Sequence, residues 1–291
     1  MNNLAASELI LNKDGSIYHL NLRPEHLADT VIVVGDPDRV QKISKHFDNI
    51  EFKIQKREFH THTGTYKGKR ISVISTGIGT DNIDIVINEL DALVNIDFET
   101  RKIKSTTKQL DIIRVGTSGS IQKEIPVDAF VVSKRAVGFD ALMHFYQSES
   151  VQLEDFNQAL DEQLQLSPRK SKAYAVACDE DLAQIFEGSE TVDGFTGSNI
   201  GFYGPQGRVL RLPLKDTRFM DKLEAFDFKG VKITNLEMET SAIYGMSKML
   251  GHRAVSLNAV VANRPAGEFS KDAGQTVENL IKFTLDRLAG K

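Results

Sequence analysis

The stretch Leu110–Ile121, LDIIRVGTSGSI, constrains this chain more than any other. Residues Leu110 to Val115 read as a buried strand, with one charged residue, Arg114, near its end. Gly116, Thr117, Ser118, Gly119 and Ser120 then read as a turn of small residues, whose exposed backbone N–H groups can form an anion nest beside an arginine. The functional expectation is that this turn holds a phosphate or similar oxyanion.

The rest of the chain must supply a core around that strand. With 291 residues, 41% of them hydrophobic, there is enough material for one large or two small domains. A formal charge of -4 and a pI near 6.0 argue against a broad basic nucleic-acid surface but allow a local basic pocket for a small anion. The single cysteine, Cys178, excludes an internal disulfide framework and a multi-cysteine metal site, and predicts a reducing, cytoplasmic location. The first thirty residues carry charges and a proline, with no signal-like apolar core. No run approaches the roughly 18 apolar residues of a membrane span.

In chain order, the amino terminus reads as irregular up to Ser16–Leu22. Val31 to Val34 form a compact apolar strand, and Pro37 starts a helix with Val40, Ile43 and Phe47 on one face. Residues 51–79 alternate as successive strands with two turns. A helix follows from about Asn82 to Leu93, then a polar surface excursion over 94–109. Beyond the central strand, 145–170 reads as a second polar excursion containing a helix, and 194–207 as a glycine-rich region. The segment from Val231 turns from strand to helix near Met238, Arg253–Arg264 is a buried strand with a polar exit, and an amphipathic helix ends the chain. This mixture predicts a single domain over 1–291: a three-layer α/β/α sandwich around a mixed sheet.

Three turns carry anion-binding hardware: GDPDR, RVGTSG and STGIG. Gly35 lets backbone approach a ligand, and Arg39 and Arg114 can grip phosphate with two parallel hydrogen bonds each. Thr117 adds a hydroxyl. Open α/β sheets place ligands at strand ends, where these residues fall. In NLEMET, Glu237 and Glu239 share one side if the strand continues, with Met238 on the other; at a helix start they serve as caps instead. A carboxylate suits sugar hydroxyls, and a methionine suits a ring face. In GFYGPQGR, Phe202 or Tyr203 offers a stacking surface, Gln206 a donor and an acceptor, and Arg208 a charged fork. His19 reads as a surface or strand-edge histidine. His60 and His62 lack the companions of a metal site, and the glycine patterns of nicotinamide folds and serine hydrolases are missing.

Taken together, GDPDRV, KREF, STGIG, RVGTSGSI, FYGPQGR, NLEMETSAIYGM and AVVANR resemble the nucleoside phosphorylase family, in its uridine phosphorylase branch, over roughly residues 18–285. The resemblance implies an α/β protein that reversibly exchanges a nucleoside's base for inorganic phosphate, with no organic cofactor. It implies phosphate contacts from Gly35, Arg39, Arg114 and Thr117, with Arg57 reaching that site from a neighbouring subunit. It implies ribose contacts from Met238 and Glu239, with His19 crossing the same interface to the 5′-hydroxyl. Phe202, Gln206 and Arg208 match the uracil site, and Glu58 matches a carboxylate tied to an interface potassium ion in some relatives. A homo-oligomer follows, at least a dimer with shared sites and expected as a hexamer of three dimers, without nucleic-acid or membrane partners. Purine-specific relatives carry an aspartate where this chain has Asn263, which cannot protonate a leaving purine. The competing readings are a purine or broad-specificity phosphorylase, a hydrolytic nucleosidase and a non-catalytic nucleoside-binding protein.

Overall fold

Asp36 ends the first buried strand and starts the first helix. Every residue of β1 (Thr30–Val34) is buried, after which the Asp36 side chain accepts the Asp38 amide and Pro37 opens α1 (Pro37–Ser44). In this computed structural model, residues 3–290 are described; residues 1, 2 and 291, inside the expected 1–291 domain, lie outside that range. Strands β2 (Asn49–Lys56), β3 (Phe59–Tyr66) and β4 (Lys69–Ser75) form an antiparallel meander, and Arg57 takes the left-handed conformation in the two-residue turn between β2 and β3. Helix α2 (Thr80–Asn95) buries Ile83, Val86, Ile87 and Leu90, the stripe expected from their spacing.

The polar excursion that follows is a short hairpin, Ile96–Asp97 with Lys102–Ile103, and then exposed chain. Next come β5 (Asp111–Ser120), β6 (Phe130–Gly138) and α3 (Glu154–Leu164). Helix α3 sits within the second expected excursion, but its Ala159, Leu160 and Leu164 pack into a core cluster with Phe195 and Phe226. The remaining elements are β7 (Tyr174–Ala177), α4 (Glu180–Gln184), β8 (Thr191–Ser198), α5 (Phe219–Ala225), β9 (Asn235–Glu237), α6 (Thr240–Met249), β10 (Arg253–Asn263), β11 (Glu268–Phe269) and α7 (Ala273–Leu288).

These eleven strands join one mixed sheet, flanked by helices, in the order β11-β10-β6-β8-β9-β5-β1-β4-β3-β2, with β7 paired to β6, while Asp227–Phe228 and Val231–Lys232 form a separate short hairpin. The α/β class and mixed sheet are as expected. The added feature is closure: β10 also pairs with β5, so β5, β10, β6, β8 and β9 form a ring. Register shifts at Gly194/Phe195 and Val260/Ala262 bend two of those strands. Two glycines of β8 make the bend tight: a Cβ on Gly194 would meet Val131 at 2.3 Å, and one on Gly197 would meet Leu236 at 2.6 Å.

Closure also explains why 116–120 is strand rather than the expected turn. Beyond Arg114, β5 leaves β1 behind and continues beside β10 and β9, pairing Gly116 with Asn258 and Gly119 with Leu236. Those long-range ladders supply the hydrogen bonds that small residues would otherwise seek in a turn. Arg114 therefore sits where the open and closed halves of the sheet part, at the carboxyl end of β1. No helix among the described residues is long and apolar enough to cross a membrane.

Candidate active site

Arg114 projects from the middle of a buried strand, so its charge must be matched inside the protein. Its Nη2 lies 2.6 Å from Glu239 Oε2 and 3.0 Å from Glu237 Oε2, and its Nη1 donates to Asn258 Oδ1 at 2.7 Å. Gly116 is what admits this side chain: a Cβ there would lie 2.0 Å from Arg114 Nη1. The glycine read as part of a nest instead leaves room for a guanidinium two residues back on the same strand.

The two glutamates divide their work. Glu237 ends β9 and caps α6, accepting the Thr240 amide at 3.0 Å and the Glu239 amide at 3.0 Å, with Ser198 Oγ donating at 2.5 Å. Glu237 therefore caps α6, as the helix-start reading expects, while both carboxylates still reach the same Arg114 nitrogen. Glu239 accepts the Gly79 amide at 2.9 Å, tying the STGIG loop to the centre. Burial pushes the Glu239 carboxyl above its ordinary range; Arg114 opposes that shift and the Glu237 charge adds to it. Met238 is half-buried and belongs to neither large hydrophobic cluster.

Arg39 comes from α1. Its Nη1 donates to Val115 O at 3.1 Å, while its Nε is buried with no acceptor. Burial and the Arg114 charge both disfavour its ionised form. Two neighbouring guanidinium groups, one with an unsatisfied buried N–H, form a place where an anion relieves both repulsion and desolvation. Gly35 borders it: a Cβ there would touch Gly77 O at 3.4 Å, so the loops after β1 and β4 lie close together. Thr117 is half-buried, and its hydroxyl has no partner among the described residues.

The third patch is the loop after β8. Arg208 Nη1 donates to Gln206 Oε1 at 2.6 Å and to Phe202 O at 2.8 Å, and its guanidinium lies 3.9 Å from the Phe202 ring centroid. Gln206 is buried while Phe202 is 51% exposed. Arg264 joins them, donating to Gln206 O at 2.5 Å and resting 3.5 Å from Met220 Sδ. Asn263 faces elsewhere, donating to the carbonyls of Ile125 and Gln122 at 2.7 and 3.1 Å.

His19 and Arg57 do not join this cluster within the chain. His19 is anchored by Glu89, which accepts its Nδ1–H at 2.7 Å and its backbone amide at 3.0 Å. Its ring stands 6.4 Å from that of Phe59, and Lys56 stacks on Tyr18 at 4.4 Å. The 18–19 segment thus rides on the β2–β3 hairpin, where Arg57 is exposed at the turn. Glu58 is half-buried beside the Gly77 loop, and the described residues contain no group of three His, Cys, Asp or Glu able to hold a metal.

Sequence reasoning missed Asn258, Ser198 and Arg264. Asn258 had a signal: an amide inside the apolar run Ala254–Ala262 must have a buried partner. Arg264 follows a buried strand, as Arg39 and Arg208 follow theirs.

Residues 29–289 match the description of the phosphorylase superfamily. The uridine phosphorylase of Thermococcus kodakarensis is 31% identical over 277 residues, covering 92% of this chain and 85% of that one. The DeoD-type purine nucleoside phosphorylase of Bacillus subtilis is 30% identical over 270 residues, covering 92% and 97%. A crystal structure of a Trypanosoma brucei nucleoside phosphorylase, described as showing uridine phosphorylase activity, superposes with a TM-score of 0.87 at 31% identity, covering 97% of this chain and all of that one. A buried arginine shared between two carboxylates, with a second arginine beside it and an aromatic–glutamine–arginine loop, thus sits in a chain that belongs to the phosphorylase superfamily, among its nucleoside phosphorylases.

Proposed function

We propose that this enzyme is a uridine phosphorylase, converting uridine with inorganic phosphate into uracil and ribose 1-phosphate. The observation that carries the choice of base is the Phe202–Gln206–Arg208 cluster, combined with the engagement of Asn263 elsewhere. Overall similarity does not choose, because purine and uridine relatives match almost equally. A leaving uracil gathers negative charge on its carbonyl oxygens, and Arg208 with Gln206 can stabilise it without a proton donor. A leaving purine requires protonation at N7, for which Asn263 has no proton to give.

In this reading Arg39, Arg114, Thr117 and the Gly35 backbone hold phosphate below the sugar. Phosphate oxygen attacks C1′ as the bond to N1 breaks, and the positive charge developing on the sugar is offset by the adjacent dianion. Glu239 accepts the 2′- or 3′-hydroxyl, and Met238 packs on the ribose. No covalent sugar–enzyme species is needed.

The exposed Arg57 and Glu89-anchored His19 share one face and serve a second copy's site, giving at least a dimer and, by likeness, a hexamer. Glu58 meets its counterpart there if potassium binds. A cytoplasmic role in pyrimidine salvage fits. The decisive experiment is a phosphate-dependent panel of uridine, deoxyuridine, thymidine and inosine, with identification of pentose 1-phosphate. Turnover of inosine without uridine overturns the substrate assignment; solution mass tests the assembly.

A further inference from the structure

Helix α6 begins beside the Arg114 cluster with Thr240 and, about 10 Å further along at Ser247 by its rise per residue, lines a second cavity. This cavity has a volume of about 220 Å³ and lies between α6, the start of α4 and the exit of β7. Two of its wall groups are fully buried donors without an acceptor: Ser247 Oγ and His252 Nε2. The histidine tautomer is set by its other nitrogen. Nδ1 accepts the Leu110 amide at 3.2 Å, so in the neutral ring the proton sits on Nε2. Asp91 Oδ1 lies 3.3 Å from Nε2 but out of line with its N–H, which leaves that donor unpaired.

Across the cavity the chemistry reverses. Asp179 and Glu180 bring carboxylates to its wall. One Asp179 oxygen caps α4 by accepting the Leu182 amide at 2.9 Å, which leaves the other available. Cys178 contributes a thiol that burial pushes up to about 11, so it stays neutral. Lys248 lines the cavity as well, so the two carboxylates are partly offset by one cation, and donors and acceptors both reach a ring-sized gap. They suit a neutral group that presents C=O to one wall and N–H to the other. An apolar cavity of about 150 Å³ accepts benzene, so this one has room for a six-membered ring.

We propose that this cavity is a second small-molecule site for neutral cyclic amides and ureides, with C=O bonded to Ser247 and His252 and N–H to Asp179. The class includes the base that the reaction releases, and the choice of uracil as probe rests on the function proposed above. The cavity itself does not depend on it, because none of its residues belongs to the catalytic cluster.

The test is calorimetric titration of the full-length protein with uracil and with 1,3-dimethyluracil, which keeps both carbonyls but cannot donate. Wild type should bind two uracils per chain. Ser247→Val, close in shape, should retain turnover and lose at least tenfold in affinity at one site only. Arg208→Ala should weaken the other site and leave the Ser247-dependent one intact, so failure of the base assignment and failure of the cavity assignment give different patterns. Dimethyluracil should not fill the cavity. A single site in wild type that Ser247→Val leaves unchanged, or equal cavity binding of the dimethyl compound, overturns the proposal. If Ser247→Val does not fold, the wild-type stoichiometry and the dimethyluracil comparison still decide it.

Discussion

The Arg114 centre and the Phe202–Arg208 loop satisfy their charges in opposite ways. Arg114 is buried, and its partners come from β9, β10 and the residue just before α6. Arg208 is bonded only to its own loop, and it lies over the aromatic ring that a base would use. The first arrangement is held by the whole sheet, so it is already organised before substrate arrives. The second is local, so an incoming base must trade places with Arg208. Under the proposed function, the contrast separates a fixed reaction centre from an adjustable reading head, with the chemistry carried by the barrel and the base read by a loop that can change without disturbing it.

Arg114→Ala is the harshest way to break that contrast. It strands two buried carboxylates and, in the proposed reading, removes a phosphate contact, so we expect about 3–5 kcal/mol of destabilisation, read from denaturant melts. Catalytic efficiency toward phosphate should fall by at least roughly 10²–10³-fold, the usual cost of a lost charge-stabilising donor. Glu239→Gln keeps one oxygen where Gly79 and Arg114 each bond a different one, and it turns an amide –NH2 toward the other donor, so a smaller loss of stability than for Arg114→Ala should accompany a loss on the order of 10²-fold in kcat/KM for the nucleoside. Arg208→Ala should cost about 10–100-fold, with melting nearly unchanged and the loss concentrated in base-dependent parameters. An equal stability cost for Arg114→Ala and Arg208→Ala would erase the distinction.

The smallest effect is a shift in pH dependence. Glu239 must be ionised to accept a sugar hydroxyl, and its carboxyl is raised by burial. Protonation therefore sets in at a higher pH than for an exposed glutamate, so nucleoside kcat/KM should begin falling earlier on acidification. Glu239→Gln should lack that limb in a pH–rate profile; a limb unchanged in the variant would assign it elsewhere.

Much of this was legible because it is local. Pro37, the apolar run Val31–Val34 and the stripe from Ile83 to Leu90 each declare their element within a few residues. Arg39, Arg114 and Glu239 were legible as charges beside buried strands. The ring was not, because β10 reads as one buried strand whether it has neighbours on one side or both. The same gap hid the strand at 116–120, whose partners lie more than a hundred residues away. The separate duties of Glu237 and Glu239 depend on which backbone amides each meets, which two-residue spacing alone does not disclose.

Gly116 carries a consequence for how loss of function would look in this protein. The atoms that an added methyl would strike belong to the tip of the Arg114 side chain, which can swing aside, rather than to rigid backbone. Gly116→Ala would therefore push the guanidinium off Glu237 and Glu239 and leave two buried carboxylates poorly matched, so the melting temperature should fall along with turnover. A survey that ranks variants by yield or heat resistance would file it as a folding defect, and only a turnover assay on the folded fraction would show that the centre itself was struck.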